Sequence, residues 1–177
     1  MMEKAMNRRK AIRKLLIIAG GAMVLPACYR QSGNATIELK NLSLSEADEQ
    51  SLATLVEALI PTTDTPGGKE LLLHFFVLKM VDDCHSPDDQ QVFAKGLAAF
   101  SKWSRKELGT TFTESTSDKR TALLGRIEES NEVEIKQFFA ITKRRAIQGY
   151  LNSQYVMTNL VKYELIPGRY DGYAKAT

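Results

Sequence analysis

The residues after position 44 predict an all-α fold: a single helical domain of about five helices with an irregular Tyr/Gly/Pro-rich C-terminal tail. Three observations carry this. Apolar residues recur at one-face helical spacing in five separate stretches. Each stretch is bounded by capping residues, prolines or glycines. No run of alternating residues is long enough to seed a sheet.

The first helix follows Leu44. Ser45 suits the N-cap, and Glu46 and Asp48 complement the positive end of the helix. Leu52, Leu55, Val56, Leu59 and Ile60 share its inner face, and Pro61 ends it because proline cannot continue the hydrogen-bond ladder. Pro61 to Gly68 then forms a rigid connector, with two prolines, two glycines and four side chains able to bond the local backbone.

A second helix is expected from about Lys69 to Asp83. Leu71, Leu72, Phe75, Phe76, Leu78 and Val81 lie on more than one face, which places this helix centrally. Ser86-Pro87-Asp88-Asp89 starts a third, with a cap, a first-position proline and acids in the first turn. Its buried face is Val92, Phe93, Leu97, Phe100 and Trp103, and Gly109 stops it. Ser115 to Ser117 cap a shorter fourth helix holding Leu123, Leu124 and Ile127 inside. A fifth starts at Asn131 with the apolar set Val133, Ile135, Phe138, Phe139, Ile141, Ala146 and Ile147.

Beyond Gly149-Tyr150 the pattern degrades. Tyr155 to Leu165 reads as a last helical piece or an extended arm, and Pro167 to Tyr173 as a tail without regular structure. Tyr150, Tyr155, Tyr163, Tyr170 and Tyr173 gather here. Tyrosine combines contact area with a polar tip, so these rings suit an interface or wrap back over the domain's own core.

The first 27 residues belong to a different class of segment. A basic head containing Arg8-Arg9, an uncharged run from Leu15 to Leu25 and a small-residue exit form the layout of a secretory signal. The run is shorter than the roughly twenty apolar residues a membrane span needs. Arg8-Arg9 followed by Ile12 and Arg13 resembles a twin-arginine signal, the address of proteins exported folded; general export of a basic leader is the alternative. Leu25-Pro26-Ala27-Cys28 resembles a bacterial lipobox, with acylation expected at Cys28 and nearby cleavage as the alternative. Each buried acyl methylene contributes roughly 0.8 kcal/mol to membrane binding. The expected layout is therefore a signal over 1–27, a lipid-anchored tether over 28–43 and a helical domain over 44–177, held on the periplasmic side of a bacterial membrane.

Setting the leader aside reverses the charge. The chain carries 24 Lys+Arg against 21 Asp+Glu. Six of those cations and one anion precede Cys28, which leaves 18 against 20 and a net charge of −2. No electrostatic argument for nucleic acid survives. Of the two cysteines, Cys28 is assigned to lipid, so Cys84 has no partner for an internal disulfide.

Cofactor motifs are missing from the sequence: no dinucleotide fingerprint, no P-loop, no Gly-x-Ser-x-Gly and no haem-attachment motif. Asp82-Asp83-Cys84-His85-Ser86-Pro87-Asp88-Asp89 gathers carboxylates, a thiol and an imidazole, but the spacings of known zinc sites are absent. Its plainer reading is one helix end and the capped start of the next. His74 reads as a hydrogen-bonded core or interface residue, Lys143-Arg144-Arg145 as a solvated face or docking patch, and Glu128-Glu129 as a solvated helix end.

Several of these features occur together in one known family. The leader, the Leu59-Ile60-Pro61-Thr62-Thr63-Asp64-Thr65-Pro66-Gly67 stretch, Phe138-Phe139, Gly149-Tyr150 with Ser153, and the closing Pro167-Gly168-Arg169-Tyr170-Asp171-Gly172 resemble the small subunit of gluconate 2-dehydrogenase, the subunit 3 family. Gly68 stands where that family is expected to have Ala, and Tyr173 where Cys is frequent.

The resemblance implies a non-catalytic accessory subunit of a membrane-associated, flavin-dependent sugar or polyol dehydrogenase. It places FAD in a large partner subunit and haem in a cytochrome c partner, with no cofactor, metal or catalytic residue in this chain. Pro61, Asp64, Pro66, Gly67, Tyr150, Pro167, Gly168 and Tyr170 are its candidate partner-interface residues. The competing reading is a free-standing helical lipoprotein that binds a ligand or a metal.

Overall fold

A computed structural model describes residues 35–161 together with 163, 164, 168 and 173. The readings placed on 1–27, Cys28, Pro167 and Tyr170 lie outside the described residues. Those described are helical and contain no strand. Five helices run in order: α1 (Glu46–Leu59), α2 (Leu73–Cys84), α3 (Pro87–Leu108), α4 (Ser117–Gly125) and α5 (Val133–Leu151). A short π-helical turn follows at Val156–Leu160.

Local chemistry sets most of the boundaries. Ser45 and Asp48 form a reciprocal capping box, in which the Asp48 amide donates to Ser45 Oγ and the Ser45 amide to the Asp48 carboxylate. Ser86 Oγ accepts from the Asp89 amide ahead of Pro87, and Gly109 closes α3 in the left-handed region.

Two starts and one cap differ from the sequence expectation. α2 begins at Leu73 rather than Lys69, because Leu72 adopts φ 53° and ψ 34° and breaks the helical path. The N-cap of α4 is Thr116 without a side-chain cap bond, since the Ser115 hydroxyl donates to the Phe112 carbonyl instead. α5 starts at Val133 rather than Asn131, behind Glu132 and without a side-chain cap bond.

The core is built on the pairing of α3 with α5, which is the most extensive helix–helix contact. The second helix, expected to be central, packs against α1, α3 and α5. Phe93 and Phe100 of α3 meet Phe138 of α5 with ring centroids 5.2 and 5.8 Å apart, and Phe112 closes on Phe100 at 5.0 Å. Gly96 permits this approach: a Cβ there would overlap that of Phe138 and lie 2.6 Å from the Glu134 carbonyl oxygen. Leu52, Leu55, Val56, Val77, Leu78 and Val81 complete the core from α1 and α2.

Two residues assigned to the inner face of the fifth helix are not inside. Val133 is 65% exposed and Ile147 is 44% exposed. Periodicity defines a stripe along a helix, but not how far neighbouring helices cover it.

Residues 35–44 are not a free tether, which corrects that part of the 28–43 assignment. The Lys40, Asn41 and Leu42 amides all donate to the carboxylate of Asp82 on α2, at 2.8, 2.8 and 2.9 Å. Asn41 Nδ2 donates to the Asp82 carbonyl, and Lys79 Nζ to that of Glu38. Leu42 is buried, with Ile37, Leu39 and Leu44 packed partly against the same core. The segment is a strap clamped to the domain.

Candidate docking surface

The loop between α1 and α2 is organised by one carboxylate that sequence reading missed. Glu57 accepts from the Thr62 amide at 3.0 Å, the Thr62 hydroxyl at 2.9 Å and the Lys69 amide at 2.8 Å. Partial burial acts to raise its pKa, but those hydrogen bonds and nearby Lys69 outweigh burial and hold it below the ordinary range. Thr62 Oγ1 in turn accepts from the Gly67 amide, and the Gly68 amide donates to the Ile60 carbonyl at 2.7 Å. The backbone then turns so tightly that a Cβ on Gly67 would collide with Thr62, and one on Gly68 would stand 2.5 Å from the Val56 carbonyl oxygen.

Pro61 to Asp64 project outward from this frame and are exposed, whereas Thr65 and Pro66 are half-buried. Tyr150 of α5 reaches the loop, its hydroxyl donating to Thr65 Oγ1 at 3.1 Å. Pro61, Asp64, Pro66 and Tyr150 thus come together on one assembled surface, with Gly67 buried beneath it. Gly168 is exposed; Pro167 and Tyr170 lie outside the described residues. Tyr155 is half-buried, and Tyr163 and Tyr173 are exposed.

α5 carries a second feature. A groove of about 690 Å³ runs beside it, with Ile127, Phe139, Ala140 and Ile147 as its apolar wall and Lys136, Lys143, Arg144 and Glu128 at its edges. Of the basic triplet, Lys143 and Arg144 are exposed on this groove. Arg145 turns away, donating to His85 Nε2 from Nε at 3.2 Å and lying 2.9 Å from it through a terminal guanidinium nitrogen.

The side chains of the acidic segment around position 84 go to separate partners. Asp82 is 1% exposed, and its carboxylate is taken up by the strap amides. Burial works to raise its pKa, yet the three amide hydrogen bonds and Lys79 hold it below the ordinary carboxylate range. Asp83 faces Lys40 at 3.8 Å, and Cys84 is exposed. Burial and then the Arg145 guanidinium lower the pKa of His85, against the opposing pull of Asp89. Among the described residues no group of three His, Cys, Asp or Glu side chains is placed to share an ion. His74 is buried as expected but not hydrogen-bonded at Nδ1, and burial lowers its pKa. Among the described residues no helix is long and apolar enough to cross a membrane.

The sequence model described as gluconate 2-dehydrogenase subunit 3 matches residues 46–168. The chain belongs to that family. The match opens on the first residue of α1, so the gluconate 2-dehydrogenase subunit 3 region takes in the pinned loop, the core and α5. It leaves out the strap over 35–44. Subunit 3 is, by the family's name, one subunit of a gluconate dehydrogenase complex, and membership implies a dehydrogenase partner. Comparison with curated proteins and with solved structures returns no match.

Proposed function

We propose that this protein is the non-catalytic accessory subunit of a periplasmic, membrane-associated, flavin-dependent sugar or polyol dehydrogenase, and that it assists assembly, export and anchoring of the catalytic subunit. The family match over 46–168 carries this reading. The pinned loop supports it: Pro61 to Asp64 are exposed on a backbone already fixed by Glu57 and Tyr150, so little ordering entropy is lost when a partner binds there. On this reading FAD belongs to the large subunit and haem to a cytochrome c subunit. The sugar binds the large subunit, so that subunit sets the substrate.

The leader fits the same role. A flavoprotein folds around its cofactor before export, and a twin-arginine signal serves folded cargo. Arg8-Arg9 would carry both subunits across, and acylation of Cys28 would hold them on the membrane.

Purification of the full chain from membranes in mild detergent tests the proposal. A much larger, flavin-containing dehydrogenase should accompany it in stoichiometric amount; a chain that emerges alone overturns the reading. Replacing Arg8 and Arg9 with Lys should strand dehydrogenase activity in the cytoplasm, and Cys28→Ala should release it from the membrane. Activity that stays where it was would refute the export and anchoring roles separately.

A further inference from the structure

The groove beside α5 is a second surface that the pinned loop does not account for. Lys136, Ala140, Lys143 and Ile147 follow one another at helical spacing along one face of α5. From Lys136 to Ile147 this face is about 16 Å long, or three helical turns. Its floor is apolar: the buried ring of Phe139, exposed Ala140 and Ile147, the last leaving 44% of its surface in solvent. Lys136, Lys143 and Arg144 stand at its edges against one carboxylate, Glu128. Among the described residues none of the three cations pairs with a carboxylate. Lys143 Nζ lies 6.0 Å from the Phe139 ring centroid, and an apolar trough of helix length whose cationic edges face no carboxylate partner among the described residues is complementary to one kind of occupant.

We propose that this groove receives an amphipathic helix of the dehydrogenase partner, apolar on its inner face and carrying Asp or Glu on its flanks. The proposal rests on the reading of this chain as an accessory subunit, and it adds the chemistry of the segment that docks. Ile147 and Ala140 would meet the apolar face, as in helix-in-groove recognition. Lys136, Lys143 and Arg144 would meet the acidic flank, which fixes orientation and speeds encounter. The groove is concave, walled across from α5 by Ile127 beyond the end of α4. A helix fills such a shape, whereas a bilayer surface spans it without reaching the floor.

The test uses the full chain produced together with the large flavoprotein. Ile147→Asp, and separately Lys143→Glu combined with Arg144→Glu, change exposed positions, and thermal melts establish that the variants fold. The proposal expects each to lower recovery of the flavoprotein about tenfold, the charge reversal more so at low salt. A photo-crosslinking residue at Ala140 should label a helical segment of the flavoprotein with flanking Asp or Glu, and this arm decides if a variant unfolds. Undiminished recovery, or a cross-link to a neutral or basic stretch, overturns the proposal. So does a charge-reversal variant that keeps the flavoprotein but loses binding to phosphatidylglycerol vesicles, which would make this a lipid-facing surface. Wild-type chain that captures no flavoprotein defeats the accessory-subunit reading itself, whereas capture unaffected by the groove variants defeats only this inference.

Discussion

Tyr150 and Thr65 are 85 residues apart in sequence, yet the Tyr150 hydroxyl donates to Thr65 Oγ1 at 3.1 Å and ties α5 to the Pro-Gly loop. Tyr150→Phe keeps the ring and removes that bond. It should cost about 0.5–1.5 kcal/mol of stability. Limited proteolysis of the variant should speed up between Pro61 and Pro66, because the loop loses this tie to α5. Unchanged cleavage would mean that Glu57 alone fixes the loop.

Gly68→Ala should be more damaging than its size suggests. The new methyl group would stand 2.5 Å from the Val56 carbonyl oxygen and 2.8 Å from its carbon, and neither is the end of a flexible side chain. Urea unfolding should show a loss of about 1–3 kcal/mol. The turn is tighter than a residue with a Cβ allows.

Leu72 points the other way. It is 52% exposed and occupies the left-handed region, which costs a residue with a Cβ roughly 1–2 kcal/mol. Leu72→Gly removes that strain, although it also enlarges the unfolded ensemble. The net expectation is a melting temperature equal to or above that of the wild type, where an exposed Leu in ordinary helical geometry would give a fall.

Acid should weaken the domain in two stages. His74 and His85 both have pKa values lowered in the fold, chiefly by burial. Between the folded and unfolded values the unfolded chain binds more protons. Their contribution is therefore complete above about pH 6.5, the ordinary His value, and is lost as pH falls below it. Melting temperature should drop between about pH 7 and 5, and less so in a His74→Gln, His85→Gln double variant.

Asp82 supplies the second stage. Its folded pKa is also lowered, so its contribution is complete above about pH 4, the ordinary Asp value, and disappears as pH falls through the folded value. Asp82→Asn should forfeit about 2–4 kcal/mol at neutral pH, because three strap amides lose a charged acceptor. The variant's melting curve should also flatten below pH 4. A variant as acid-sensitive as the wild type there would place the effect on another carboxylate.

What the sequence made legible was whatever a few adjacent residues decide by themselves. Ser45 with Asp48, Ser86 with Pro87, and Gly109 mark helix ends through contacts within a single turn. The start of α2 is not legible locally, because the turn before it depends on Glu57 reaching Lys69 across twelve residues. Asp82 looked like part of an acidic cluster, since its partners are backbone amides about forty residues earlier, and amides leave no mark in a sequence. Ile147 matched the core period and proved to line a groove, because coverage is decided by what packs alongside.

The strap sets a leash length. Only seven peptide links separate Cys28 from the bonded Ala35, whose amide donates to the Leu44 carbonyl at 3.0 Å. Extended chain spans at most about 3.6 Å per residue, so an acylated Cys28 would confine Ala35 to about 25 Å from the bilayer surface. A leash of all sixteen residues from 28 to 43 would reach more than twice as far. If Cys28 is acylated as proposed, clamping at Asp82 would turn a roaming anchor into a short-range mooring, and any enzyme docked on this domain would work close to the membrane.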